Sequence, residues 1–553
     1  MLAINRSYKS LVAPQYLLNT RTATIVCFVF AAICKVILVN VFYSFTLDMN
    51  LQGLAAQSIA EGHGFTIPQV HASNLSELVY NPLVGWPPAF SISIAPFYLL
   101  LHNIEQAGIV AFSFYSVLFI PLSYLLLKEI GFTTWLLNLF ILIYGLSIPQ
   151  YLSSFAATDL PGLLCYLLAC YLLLLFLKNN KRPILSGILV GIACASGAWF
   201  RYMYLPVSFV IPVLLLWNGV LKKNKTLQIA GVYAFLCNLI LVLALIGFQR
   251  FYTGNAAYYR PTEIGLYFSN LTSFHPYVFS TFMKLHFYIM KISLWTGIPY
   301  LETLQIINIA GVIPGILMAY LFCRYALKWK AQFDSPLQTF FIAGGFMSLC
   351  CIVILLALTI FINSEYRFPS NFSWVYGSEE RYFILPIFCL QAFFLWWVFL
   401  SEPANRFRFI KIVRLFFLLI IAFEFFHGFG AIVKSLNGNS VQKNSIAEVE
   451  DIRTHIRNAA AVSSKQGMDL VIGTQGTIVA GQATLLGHKE LFNLFEINST
   501  PVYCSRPTLL TIFIKEAHLP YFKDFLQKHH GQQQSVMASG FYIYYCYLAT
   551  GEN

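Results

Sequence analysis

The sequence predicts a polytopic α-helical membrane protein of about eleven spans that ends in a small soluble α/β domain. Three observations carry the prediction: a composition with too little polar surface for a soluble chain, apolar runs of spanning length, and a change of character after Lys434. Hydrophobic residues make up 58% of the 553 residues and charged residues only 10%, with a mean hydropathy of +0.67. The bilayer must therefore be the solvent for most of the chain. The net charge of +12 does not point to nucleic acid. The tail from Lys434 carries nearly equal numbers of basic and acidic residues, so the excess lies in the membrane part and reads as topology.

The first apolar run, about 24–46, exceeds the core of a cleaved signal and reads as an uncleaved anchor. Further spans are expected at about 107–127, 134–151, 160–177, 184–200, 203–217, 228–249, 303–322, 338–362, 382–399 and 411–433. A shorter stretch, Ala89–Leu101, has the length of an interfacial or re-entrant helix. If it does not cross, the clusters Arg6/Lys9/Arg21, Lys178/Lys181/Arg182, Lys222/Lys223/Lys225, Arg324/Lys328/Lys330 and Arg406/Arg408/Lys411/Arg414 all share the N-terminal side. That side is then cytoplasmic by the positive-inside rule, and letting Ala89–Leu101 cross would move the four later clusters outside. The domains expected are a membrane domain over 1–433 and an extracytoplasmic domain over 434–553.

The long loops then share the outer side, at about 47–106, 152–159, 250–302 and 363–381, together with the tail. Loops that enlarge on one face of a rigid scaffold carry function. The first reads FTLDMNLQGLAAQSIAEGHGF and later YNPLVGWPPAF, with no Lys or Arg between 47 and 106. Asp48 stands at the outer end of the first span. Leu51, Leu54, Ala55 and Ile59 recur at helical spacing, which suits a helix lying along the membrane surface. The glycines around His63 stop it.

The short loop SSFAATDLPG holds one charge, Asp159, which a plain helix start would also explain because Pro161 follows. Arg201 lies in the tight turn WFRY, where an interfacial anchor for its span is the alternative. The loop YYRPTEIGLYFSNLTSFHPYVFSTFMKLHFYIMKISLW brings Arg260 and Lys284 among aromatic residues, which suits a cavity wall facing both lipid and phosphate. Glu380 and Arg381 stand in GSEERY before a late span. Lys35 and Glu424 fall near the middle of spans, with His427 close to the second, and either pair or are buried separately.

Ten of the twelve cysteines, Cys27 to Cys389, lie in or beside apolar runs, as small hydrophobes do. Cys504 and Cys546 lie in the tail and either pair in an oxidising compartment or remain core thiols. In that tail, Asp469–Gly473, Leu509–Ile514 and Phe541–Leu548 read as strands, and Glu448–Val462 and Leu519–Lys528 as helices. Gly473-Thr474-Gln475-Gly476 lacks the spacing of a phosphate-binding fingerprint and reads as a turn.

An Asp at the outer end of the first span, a helix ending in Gly-His-Gly-Phe, WPP before the next helix, TD in the second outer loop and ERY before a late span together resemble the GT-C glycosyltransferases. The resemblance is nearest to bacterial relatives of protein O-mannosyltransferase and of the lipid A aminoarabinose transferase, and covers roughly Arg21 to Leu400. It implies a GT-C-like fold in a bacterial inner membrane. It further implies a polyprenyl-phosphate sugar as donor, an extracytoplasmic protein, lipid or glycan as acceptor, and displacement with inversion. Asp48 becomes the catalytic carboxylate and Asp159 a second acid. Arg201, Arg260, Lys284 and Arg381 are the candidates for the phosphate, with His63 and Glu380 as further substrate contacts. No cofactor is expected, and a divalent metal is not required for a monophosphate donor. One departure stands: some relatives place a basic residue in the first outer loop, and this loop has none.

Two other classes compete. A lipid-sugar flippase would use midplane charges such as Lys35 and Glu424 on repeated halves, and no internal repeat is evident. A non-catalytic binder of lipid-linked glycan would bind but not transfer.

Overall fold

The computed structural model describes residues 20–42, 47–146, 158–254, 285–299, 332–361, 380–401, 410–436, 443–474, 477–494, 501–537 and 540–551, with a few single or short pieces between. These form two compact units. One comprises 1–42, 85–87 and 112–432, the other 43–84, 88–111 and 433–553. The sequence division at 433 is thus a cut along the chain, whereas the second unit unites the first loop with the tail.

Within the described residues, seven helices are long and apolar enough to cross a membrane: Arg21–Asn40, Ile104–Glu129, Asp159–Asn179, Pro183–Phe200, Tyr202–Leu221, Lys225–Thr253 and Pro336–Phe361. Shorter apolar helices span Ala89–Leu101, Thr134–Leu146 and Ile384–Phe399, and a 27-residue helix covers Ile410–Leu436. The chain is an integral membrane protein. The expected span at 303–322 lies outside the described residues except for Thr303, Ile306 and Tyr320.

Small residues let these helices approach. Gly187 and Gly191, one turn apart on Pro183–Phe200, lie on the backbone carbonyls of Ala230 and Ala234 in Lys225–Thr253. A Cβ on Gly191 would stand 2.5 Å from the Ala234 oxygen. This is the small-xxx-small contact of membrane helices, in which lipid supplies no hydrophobic drive and close van der Waals packing must hold the pair. Trp199 Nε1 ties the same two helices by donating to the Leu241 carbonyl at 3.0 Å. Arg21–Phe42 packs on Thr134–Leu146, where Asn138 Nδ2 donates to Thr24 Oγ1 at 3.0 Å.

The second unit is built on a seven-stranded sheet. Its strands are β1 Thr66–His71, β2 Asn74–Pro82, β3 Asp469–Thr474, β4 Leu491–Asn493, β5 Thr508–Lys515, β6 Gln532–Val536 and β7 Phe541–Leu548, in the order β2-β1-β4-β3-β5-β7-β6. The centre is parallel, with β4 and β5 flanking β3. The β3–helix–β4 crossover through Thr477–Leu485 is what a parallel pair requires. The alternation of strand side chains splits the core. Leu510 and Ile512 face Phe522, Phe525 and Leu526 of the helix Leu519–Lys528. Leu509 and Phe513 face Ile452, Ile456 and Val479 of the helices Lys443–Gln466 and Thr477–Leu485. Cys504 and Cys546 both lie fully buried in the first of these clusters.

Two strands of this sheet come from the first loop. The residues after His63 form the β1–β2 hairpin, and β1 pairs in parallel with β4 through Val70 and Phe492. The loop helix, Leu47–Ala60, is enclosed rather than spread on a surface: Leu54 packs into the tail core, and the polar Gln52 and Ser58 are as buried as their apolar neighbours. Ser91 in Ala89–Leu101 donates to the Gln52 carboxamide oxygen, fixing the two loop helices to one another.

Candidate active site

Asp159 opens the helix Asp159–Asn179, and Arg201 follows the last turn of Pro183–Phe200. The two helices are joined by a short turn and run antiparallel, so the start of one lies beside the end of the other. An acid at a helix N-terminus and a base at a helix C-terminus each suit the local dipole. Arg201 Nη1 donates to Asp159 Oδ2 at 2.7 Å and to Thr158 Oγ1 at 3.0 Å. The aspartate side chain is 0% exposed and the arginine 11%. The guanidinium also lies over the ring of Tyr382, 4.5 Å from its centroid. Tyr382 belongs to the 3-10 turn Glu380–Phe383.

Three sequence motifs, TD, WFRY and ERY, therefore meet at one buried point. Thr158 at the cap position makes no side-chain cap bond, and the Asp159 side chain is buried and that of Arg201 largely so. Behind the pair, Tyr166 donates its hydroxyl to the Tyr204 carbonyl at 2.9 Å, and Tyr202 bonds to the buried Gln249.

In the second unit, Asp48 occupies the first turn of Leu47–Ala60, and its side chain lies outside the described residues. The helix ends where the sequence placed the glycine stop. Gly62 takes φ +88°, its N–H reaches the Ile59 carbonyl at 3.2 Å, and the His63 N–H reaches Ser58 at 2.8 Å. This pair of bonds is the Schellman closure, which needs a left-handed residue at that point. It directs the exposed His63 onto Tyr80 of β2, rings stacked 3.7 Å apart.

Beside them Glu61 accepts from Lys489 Nζ at 2.6 Å, from Gln57 Nε2 at 2.9 Å and from the Tyr98 hydroxyl at 3.4 Å. Burial pushes the Glu61 carboxyl up, but the hydrogen bonds from Lys489 and Gln57 and the lysine charge prevail and hold it below its ordinary value. Burial likewise opposes charge on Lys489, yet its bond to Glu61 holds the ammonium above its ordinary value.

Of the other sequence candidates, Arg260 and Lys284 lie outside the described residues. Glu380 and Arg381 are placed in the turn with Tyr382, but their side chains are not described. Lys35 is buried with its Nζ 4.0 Å from the Tyr144 ring centroid. The side chain of Glu424 is not described, so the Lys35–Glu424 pair lies outside the described residues. Among the described residues no group of three or more His, Cys, Asp or Glu is gathered for a metal. Sequence reasoning missed Thr158 and Tyr382 as partners of Arg201, and Glu61, Tyr80 and Lys489 around His63. The ERY motif carried a signal for Tyr382. Lys489 had none, since its partner is 428 residues away.

No protein-family model matches the chain, and no curated protein matches it. Solved structures do. The crystal structure of ArnT from Cupriavidus metallidurans bound to undecaprenyl phosphate superposes with a TM-score of 0.53 at 12% identity, covering 95% of this chain and 98% of that one. The chain has the GT-C fold. ArnT from the same organism in the apo state gives 0.49 at 11% identity, covering 95% and 98%. The Archaeoglobus fulgidus oligosaccharyltransferase in complex with Zn and sulfate gives 0.48 at 11% identity, covering 94% of this chain and 72% of that one. At such identity the likeness is one of fold alone.

Proposed function

We propose that this protein is an inverting glycosyltransferase that moves a sugar from a polyprenyl-phosphate donor to an extracytoplasmic acceptor. The observation that carries the reading is the GT-C fold along the whole chain, shared with a structure that holds undecaprenyl phosphate. The candidate carboxylate Asp48 opens the helix that follows the first span. The chain sits in a bacterial inner membrane with its N-terminus in the cytoplasm. The acceptor hydroxyl attacks the anomeric carbon from the side opposite the phosphate. Its proton passes to the Asp48 carboxylate, the carbon–oxygen bond to phosphate breaks, and polyprenyl phosphate leaves with the electron pair.

Fixed cations in a water-poor site stabilise the departing phosphate. Arg201, Arg260, Lys284 and Arg381 serve here. Asp159 holds Arg201 in place as a positioning residue, and Tyr382 limits its rotation by covering the guanidinium. Glu380 and His63 contact the sugars. The reaction runs without a divalent metal, so chelation leaves the rate unchanged. The test is transfer of radiolabelled sugar from a panel of polyprenyl-phosphate sugars to membrane acceptors, with Asp48→Asn at matched expression. Losing a general base costs roughly 100- to 10,000-fold, while donor binding persists. Full transfer by Asp48→Asn refutes the assignment of the base. Movement of labelled lipid across proteoliposomes without any transfer would make the protein a flippase.

A further inference from the structure

Glu61, Lys489, Gln57, Tyr98, His63 and Tyr80 form a polar cluster at the end of the loop helix opposite to Asp48, and of these only His63 enters the proposed chemistry. We propose that this cluster is a remote subsite for the acceptor, and that the acceptor is an extended glycan rather than a single sugar; the inference rests on the transferase reading.

The cluster is reachable, with the Glu61 and Lys489 side chains 27% and 28% exposed. Its amide orientation is fixed by chemistry. Gln57 must turn its Nε2 toward the Glu61 carboxylate, which only accepts. Its Oε1 is thereby left buried with no hydrogen-bond partner, in a residue only 7% exposed. Buried polar atoms are almost always paired, and this one is an exception. The partly exposed Lys489 ammonium and Glu61 carboxylate can donate to and accept from a ligand hydroxyl.

The charge balance selects among ligands. One carboxylate and one ammonium in contact cancel, so the patch offers no net attraction to phosphate but both kinds of hydrogen-bonding group to a neutral polyol. The exposed His63 ring, backed by Tyr80, adds a flat apolar face beside them.

Distance then sets the size of the ligand. Glu61 follows Asp48 by thirteen residues on one helix, roughly 20 Å at about 1.5 Å per residue. A single sugar cannot reach both ends. A chain of sugars reaches both, and binding far from the reacting carbon is a way to pay for its orientation.

The experiment presents the full chain in lipid nanodiscs to an array of immobilised mono- to hexasaccharides. Binding is expected for chains longer than a disaccharide and absent for monosaccharides. Lys489→Gln and Gln57→Leu are each expected to weaken it about tenfold, one hydrogen bond's worth. The charge-swapped pair Glu61→Lys with Lys489→Glu separates a ligand site from a mere strut. It should restore the thermal stability lost in the single variants without restoring glycan binding. The proposal is overturned if no oligosaccharide binds the wild type, or if the swapped pair binds as the wild type does. Sugar transfer by Asp48→Asn tests the transferase reading separately. Undiminished transfer by that variant would remove the catalytic reading and leave the glycan result standing, so the two failures are distinguishable.

Discussion

Replacing Arg201 with Met tests the centre of the membrane unit. The substitution keeps much of the side-chain volume but leaves the Asp159 carboxylate, 0% exposed, without the guanidinium that donates to it at 2.7 Å. Unit charges about 4 Å apart attract by about 4 kcal/mol at an effective dielectric near 20. Breaking a buried pair by removing one member costs about 3–5 kcal/mol, because the survivor is an uncompensated charge. The contact with Tyr382 is lost as well, at about 1–2 kcal/mol. A destabilisation of roughly 4–7 kcal/mol follows from these terms together. The assay is built into the fold: Cys170 and Cys194 are buried in the two helices that carry Asp159 and Arg201. Their reactivity toward a thiol-selective dye during a thermal ramp reports when those helices part. Removing both charges, as Asp159→Leu with Arg201→Met, should recover most of the stability, since apolar pairs often replace buried ion pairs at no loss. If Arg201→Met exposes these thiols at the wild-type temperature, or if the double variant is no better than the single, the pair is not what holds this corner. Transfer activity then separates structure from chemistry. A double variant that folds but fails to transfer sugar shows that the pair serves the chemistry and not only the fold.

Cutting the chain after Leu436 removes β3 to β7 and leaves the β1–β2 hairpin with no partner for the Val70–Phe492 pairing or for the bonds between Ala72, Leu75 and Tyr503 at 2.8 and 2.9 Å. Limited proteolysis should then cleave between residues 66 and 82, which resist in the intact chain. Glu61 has a depressed pKa, so its contribution is present above the ordinary carboxylate value of about 4.3 and is lost as pH falls through the lowered value. Hydrogen exchange in the hairpin and in Thr477–Leu485 should therefore rise below about pH 4, and the Glu61→Gln variant should lack that acid dependence. Lys489 behaves oppositely: its share is complete below about pH 10.4 and is lost only as pH rises through its raised value. Gly191→Leu forces side-chain atoms onto the Ala234 carbonyl and should cost about 1–3 kcal/mol, read as a lower unfolding temperature in the same thiol assay.

What the sequence revealed, and what it concealed, follows from how far apart interacting residues lie. A span is a local property, so runs such as 160–177 and 184–200 announced the helices Asp159–Asn179 and Pro183–Phe200 within a residue or two. Asp159 and Arg201 were each legible as candidates but not as a pair, although consecutive antiparallel helices return their ends to one place. The glycine stop at Gly62 was legible because the Schellman closure is written in six consecutive residues. The hairpin was not. Its strands are short, one face is covered by residues from the far end of the chain, and the partner strand β4 has only three residues, too few to show any period. The enclosed loop helix was misread for the same reason. Leu51, Leu54, Ala55 and Ile59 gave a surface pattern, but the tail core receives Leu51 and Leu54, and Gln52 is covered by Ser91 of Ala89–Leu101.

The missing cation of the first loop belongs to this argument. Counting charges loop by loop found none between 47 and 106, and that count is right along the chain. In space the loop has Lys489, delivered by the short segment between Thr477–Leu485 and β4 and held on Glu61 at 2.6 Å. That contact ties the charge to an intact tail. The Lys489→Gln variant and the tail truncation should therefore weaken glycan binding alike, whereas a tail serving only as a separate module would be lost without touching it.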